Sequence, residues 1–329
     1  MKPSDISTSF QQTDSDLLIS GISLAEIVEE FGTPLYVYDA ETIRRKYTHL
    51  RENLPQEVDI FYAIKANPNM AIVRLLANLG AGTEVASRGE LLVCERLGIK
   101  PKDIVFAGPS KSEVDLEKAV DMGIYSLNAE SLSEVRRISN ISREKRSVMG
   151  VALRLNPEFH IDGAVVKMGG GSQKFGIDTE LLPEILDEVA PIPNIHFNGV
   201  HFFSATGILN QEEFLRNLEN CFGLAELVNE HYPVLDLDVG GGLGIPYKDG
   251  EVDLSITGIS DRIRILFDRY RFLRDNKTRI IIEPGRYLVG QSGVYVSKVE
   301  YTKVSRGRNI VLTNGGIHQL LRPVLLGSD

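Results

Sequence analysis

Short apolar runs rich in β-branched residues alternate along this chain with segments of helical period. The runs fall at 59–64, 82–86, 104–108, 124–128, 149–155, 197–203, 234–240 and 279–283, and each reads as a buried strand. Between them the pattern predicts helices near 68–79, 87–98, 111–122, 129–140, 179–190, 210–230 and 259–273. In the 210–230 segment Phe214, Leu215, Leu218, Phe222, Ala225 and Val228 share one face. Asn210 is placed to cap that helix, with Glu213 three residues on as its capping-box partner. Strict alternation implies a parallel sheet, because parallel neighbours need crossover connections. Eight such units predict an α/β fold, a closed (β/α)8 TIM barrel whose active site forms at the C-terminal ends of its strands.

The flanks do not follow this pattern. Leu17–Ile19 and Leu35–Tyr38 read as short extended pieces, followed by a helix near 40–53. After the eighth barrel strand, Gly293 to Val304 alternates with a two-residue period, and Asn309 to Thr313 reads as another strand. The expected division is therefore an N-terminal β segment (1–38), a barrel (39–292) and the start of a C-terminal β-domain (293–329), the two flanks forming one split all-β unit.

Composition changes the picture only by exclusion. With 36 Lys+Arg against 45 Asp+Glu the net charge is −9, which argues against nucleic acid or an anionic membrane as partner. Residues 1–20 have no apolar signal core and no stretch is long enough to span a bilayer. Cys94 and Cys221 lie far apart and read as reduced thiols, so a cytoplasmic location is expected.

The candidate chemistry collects at the predicted strand ends. The first strand delivers Lys65 and Asn67, the second Glu84 and Ser87, the fifth Arg154 and Asn156, and the sixth His201 and Ser204. The seventh ends in Gly240-Gly241-Gly242 and the eighth in Glu283-Pro284-Gly285-Arg286. Lys65 is either a surface lysine past a strand or an amine at the edge of a site, where desolvation would lower its pKa as a Schiff-base lysine requires. The glycine run is either a tight turn or an anion cradle of backbone N–H groups, and it is not a P-loop because no Gly-Lys-Ser/Thr follows. His201 is either a satisfied core histidine or part of an aromatic-lined pocket with Phe202, Phe203 and Ser204. Glu283 either pairs with Arg286 or holds a ring nitrogen protonated. The Lys167–Gly176 stretch is either a mobile site loop or a surface excursion. No metal is expected.

Taken together these residues resemble a known family. Tyr62-Ala63-Ile64-Lys65-Ala66-Asn67, Glu84-Val85-Ala86-Ser87-Arg88-Gly89-Glu90-Leu91, Lys174-Phe175-Gly176, Gly240-Gly241-Gly242 and Glu283-Pro284-Gly285-Arg286 resemble the fold-type III pyridoxal-phosphate decarboxylases of the ornithine/diaminopimelate/arginine group, from about residue 30 onward. The resemblance implies an alanine racemase-like barrel that binds pyridoxal 5'-phosphate and a homodimer that decarboxylates an amino acid. By the same resemblance Lys65 bonds to the cofactor, His201 stacks on its ring and Glu283 pairs with the ring nitrogen. Ser204 and the Gly240–Gly242 amides hold the phosphate, and Glu84, Arg154, Gly285 and Arg286 line the cofactor. An arginine is expected at the Glu283 position in a racemase, so glutamate favours decarboxylation.

Three departures qualify this. His201-Phe202-Phe203-Ser204 replaces the usual small residue and Gly-Ser after the histidine, echoing butirosin-type enzymes that act on carrier-bound amino acids. Arg322 fits the substrate-binding arginine of diaminopimelate decarboxylases, with Arg286 as a second substrate contact, but Leu326 stands where a tyrosine follows. The family's C-terminal β-domain supplies a cysteine to the partner subunit's site, and Cys94 and Cys221 are wrongly placed to replace it. The expectation is a fragment, or a protein that binds cofactor and turns over poorly.

Overall fold

The structure, a computed structural model, describes residues 10–157, 166–167, 174–203, 205–247 and 250–321. Eight parallel strands close a ring: β1 (Val58–Ala63), β2 (Gly82–Val85), β3 (Ile104–Phe106), β4 (Ser126–Ala129), β5 (Met149–Asn156), β6 (Ile195–Phe202), β7 (Asp236–Asp238) and β8 (Arg279–Ile282). Their registers run Phe61↔Gly82, Glu84↔Val105, Val105↔Ser126, Leu127↔Val151, Leu153↔Val200, His201↔Asp238 and Asp238↔Ile281, and Ile280↔Val58 closes the barrel. Residues Ile177–Asp178 add a short parallel pairing to β5.

The intervening helices are α1 (Met70–Asn78), α2 (Arg88–Leu97), α3 (Glu113–Met122), α4 (Leu132–Glu144), α5 (Leu182–Val189), α6 (Gln211–Asn229) and α7 (Ile259–Arg269). Polar caps start most of them, each side chain taking up an otherwise unpaired backbone N–H. Asn69, Ser87, Ser112, Ser131 and Asn210 serve α1, α2, α3, α4 and α6 in turn. Asn210 accepts from both Glu212 N and Glu213 N. The predicted 259–273 helix is two pieces, because it breaks at Tyr270 before a short helix Phe272–Asp275.

Inside the ring Phe61, Val105 and Ile281 pack together with Tyr125 against them. Gly82 makes that packing possible: a Cβ there would lie 2.6 Å from Phe61 Cζ, well inside contact distance. Below this layer Asp236 is 3% exposed and accepts a hydrogen bond from Tyr125 Oη. Arg279, whose guanidinium stacks 4.6 Å from the Tyr125 ring, donates to Asp59 at 2.6 Å.

The flanks, residues 1–45 and 289–329, cluster as a separate compact unit. Leu35–Tyr38 pairs antiparallel with Gly293–Val296, and Val299–Ser305 forms a hairpin with Arg308–Thr313. The unit is not all-β, because Ser23 caps a helix over Leu24–Phe31. The alternating 293–304 run is also two strands rather than one, interrupted at Ser297 and Lys298.

Burial pushes the Asp236 carboxyl up to about 6, against the opposing Tyr125 hydrogen bond and the Arg279 charge. The folded state therefore holds this proton more tightly than the unfolded chain, and the stability it contributes below about pH 4 is lost as pH rises to about 6. Asp236→Asn keeps an acceptor for Tyr125 and has no charge to bury. Its thermal midpoint should fall less than the wild type's between about pH 4 and 6, and equal falls in both proteins would contradict the assignment.

Candidate active site

The C-terminal strand ends bring most of the predicted site residues to one rim. Lys65 lies just beyond β1, in a 3-10 turn over Ile64–Ala66, and not in the strand. Its Nζ donates to Glu84 Oε1 at 2.9 Å and Oε2 at 2.8 Å, while Glu84 is fully buried at the end of β2. The Phe203 ring centroid lies 5.4 Å from Lys65 Nζ and 5.8 Å from the Arg154 guanidinium, within cation–π range of both. Phe175 lies 4.6 Å from the same guanidinium.

Desolvation does pull the Lys65 pKa down, as the sequence suggested. The charges of Glu84 and Glu283 and the Glu84 hydrogen bond outweigh it, so the net direction is up. The lone amine is thus a firmly held ammonium, which corrects the expectation of a lowered pKa. Burial lifts Glu84 to about 7 despite the Lys65 charge.

On the far side, His201, Asp238 and Glu283 bring ligand-type atoms within 4.8 Å of one another, and all three are buried. His201 Nε2 lies 3.4 Å from Glu283 Oε2. Burial pushes the histidine pKa down, toward a neutral ring. It pushes Asp238 far up, a direction reinforced by the Glu283 charge. Burial alone would also lift Glu283, but the charge His201 carries when protonated, a hydrogen bond from its ring, the Lys65 ammonium and a hydrogen bond with Asp238 bring it down. The two neighbouring acids are thus pushed in opposite directions, Asp238 toward its neutral form and Glu283 toward its charged form.

The glycine run is set by close approach of its neighbours. A Cβ on Gly240, which has φ of 70°, would sit 2.2 Å from Phe202 O, and one on Gly241 would sit 2.6 Å from Glu283 O. The expectation that all three amides face an anion needs correction. Gly240 N already donates to Asp238 Oδ1 at 2.9 Å, whereas Gly241 N and Gly242 N make no hydrogen bond among the described residues. Gly285 packs against Ala63 and Ala66 beside the Lys65 turn, and Arg286 stacks 5.6 Å from the Tyr247 ring.

Other strand-end residues are structural. Ser87 caps α2, Asn67 Oδ1 accepts from Asn69 N, and Asn156 Nδ2 donates to Asp178. Ser204, Arg322 and the Met168–Gln173 part of the predicted loop lie outside the described residues. Two acids at the rim escaped the sequence reading. Asp238 stands two residues before the glycine run, at the end of β7. Glu130, just past β4, accepts from Arg154 Nη1 at 2.8 Å and from Gly176 N at 2.9 Å, so it ties the guanidinium to the Lys174-Phe175-Gly176 turn. The third and fourth strand ends carried no candidate in the sequence.

Residues 40–290 match the family model described as pyridoxal-dependent decarboxylase, pyridoxal binding domain. The chain belongs to this family. It is 33% identical over 297 residues to the L-glutamyl-[BtrI acyl-carrier protein] decarboxylase of Niallia circulans, covering 90% of this chain and 69% of that protein. It is 32% identical over 314 residues to the diaminopimelate decarboxylase of Aquifex aeolicus, covering 94% and 73%. The solved diaminopimelate decarboxylase of Methanocaldococcus jannaschii superposes with TM-score 0.86 at 28% identity, over 97% of this chain and 76% of that one. The same enzyme in co-complex with L-lysine superposes with TM-score 0.84. The fold is accordingly the pyridoxal-phosphate-binding barrel, and among the described residues no helix is long and apolar enough to cross a membrane.

The rim suits that cofactor on its own chemistry. It offers a lysine amine, a glycine turn with two uncommitted amides, and a buried carboxylate, Glu283, that the surroundings hold in its charged form. Glu84→Gln removes the charge that most strongly holds the Lys65 proton. The amine should then react faster with an aldehyde reagent at about pH 8, where more of it is unprotonated. An unchanged or slower rate, followed by mass spectrometry of the Lys65 peptide, would contradict the charge assignment.

Proposed function

We propose that this protein is a pyridoxal 5'-phosphate-dependent carboxy-lyase acting on an amino acid, with Lys65 as the residue that bonds to the cofactor. The observation that carries this reading is the meeting, on one rim, of the Lys65 amine and the buried Glu283 carboxylate, each acting on the charge of the other. Bound there, pyridoxal phosphate supplies an electron sink for the pair left behind when the α-carboxylate departs. Glu283, ionised and buried, would hold a proton on the ring nitrogen and so strengthen that sink. His201, neutral and buried, offers a flat face to the cofactor ring. The Gly241 and Gly242 amides, with Ser204, would bind the phosphate, and Glu84, Arg154, Gly285 and Arg286 would line the cofactor.

For substrate we propose a diaminopimelate-like amino acid or a glutamyl group on a carrier protein, with Arg286 and Arg322 as contacts. The Niallia and Aquifex relatives, at 33% and 32% identity, lend these two readings nearly equal support. A homodimer is the assembly proposed by family likeness. A cytoplasmic location is proposed on the two buried cysteines, Cys94 and Cys221, neither of which is in a disulfide.

The test has two arms. Pyridoxal phosphate should give the wild-type protein a visible absorbance band that Lys65→Ala lacks. Release of CO2 should then be assayed with meso-diaminopimelate, ornithine, lysine, arginine and a carrier-bound glutamyl substrate. A cofactor-loaded protein that releases CO2 from none of them would overturn the enzyme reading, and a band that survives Lys65→Ala would remove Lys65 from its role.

A further inference from the structure

Too few protons meet at the ends of β6, β7 and β8 for the acceptors gathered there. His201 Nδ1 and Nε2, Asp238 Oδ2 and both Glu283 oxygens are buried without a hydrogen-bond partner when both acids are written as carboxylates. A carboxylate only accepts, so two of them beside a neutral imidazole cannot satisfy one another. One proton on Asp238 satisfies two of these five atoms, because Oδ2 then donates to one Glu283 oxygen while Oδ1 still accepts from Gly240 N at 2.9 Å. The groups that act on Asp238 from neighbouring strands favour that proton. Glu283 comes from β8 and Glu84 from β2, both acids, and His201, its register partner on β6, is held toward its neutral form.

We propose that Asp238 is a positioning residue that joins the two ends of the cofactor site, its Oδ1 holding the first amide of the glycine turn and its Oδ2–H holding the Glu283 carboxylate. The inference rests on the reading that pyridoxal phosphate binds beside Lys65. It also gives the Gly240 amide a fixed purpose. That N–H orients the turn through Asp238 and leaves the next two amides to face an anion.

Asparagine is the near-copy of a protonated aspartic acid, with an oxygen to accept from Gly240 and an NH2 to donate to Glu283. The experiment compares wild type, Asp238→Asn and Asp238→Ala as full-length proteins. Its readouts are the dissociation constant for pyridoxal phosphate, from titration of the visible band, and the pH dependence of that band. Asp238→Asn should bind within about threefold of wild type with an unshifted pH profile, and Asp238→Ala should bind about 10- to 100-fold more weakly. Thermal melting of cofactor-free protein shows whether each variant folds, and if the alanine variant does not, the asparagine variant alone decides. An asparagine variant that binds 10-fold or more weakly, or shifts the profile, would overturn the proposal by showing that the charge of Asp238 is needed. A folded alanine variant that binds as wild type would overturn it by showing that nothing is held. Wild type that takes up no cofactor would overturn the functional reading and this inference with it.

Discussion

A parallel sheet can end only by exposing the backbone groups of its edge strands or by curling until the edges meet. In this barrel they meet where Ile280, Ile281 and Ile282 of β8 pair with Val58, Asp59 and Ile60 of β1. That one ladder satisfies the last unpaired backbone groups of the sheet. It also sets Lys65, which follows β1, on the same rim as Glu283, which follows β8, although 218 positions separate them in the numbering.

Closure also forces charges together that water would otherwise keep apart. Glu84, Asp238 and Glu283 are buried at the strand ends, with Lys65 as the amine that faces them. Burying an unpaired carboxylate is costly, and each acid here lowers that cost differently. Glu84 takes a two-oxygen contact from Lys65, Asp238 keeps a proton, and Glu283 stays charged with that proton beside it. A second chain of alternating partners runs through the neighbouring loops. Lys111, itself buried, donates to Glu134 at 2.7 Å, Glu134 accepts from Glu130 N, and Glu130 holds Arg154. The arginine is thus fixed through Glu130 to a buried Lys111–Glu134 pair.

Much of this was legible beforehand, and for physical reasons. Apolar runs of β-branched residues announced all eight strands, because strands buried on both faces carry few polar interruptions. Asn210 announced the start of α6 because its side chain competes for backbone N–H groups. Boundaries were harder: the fourth strand runs 126–129 and not 124–128, since Tyr125 N is drawn into bonds with Pro101 O and Ile104 O. The first strand likewise ends at Ala63 and not at 64, the chain tightening into a 3-10 turn over Ile64–Ala66 that holds Lys65 beside Glu84.

The amino-acid sequence by itself determined the alternation, hence the parallel barrel, and through its rim motifs the family and its cofactor. These are local properties, written in the period of apolar residues and in the few side chains that terminate each run. Protonation states were decided only by the tertiary structure. Nothing near Lys65 in sequence predicts that two distant carboxylates raise its pKa, and nothing near Asp238 predicts that it is pushed toward its neutral form beside a charged Glu283. Nor does the glycine run disclose that Gly240 has already spent its amide on Asp238. Electrostatic energy depends on distance through a low-dielectric interior, and those distances exist only after the ring has closed.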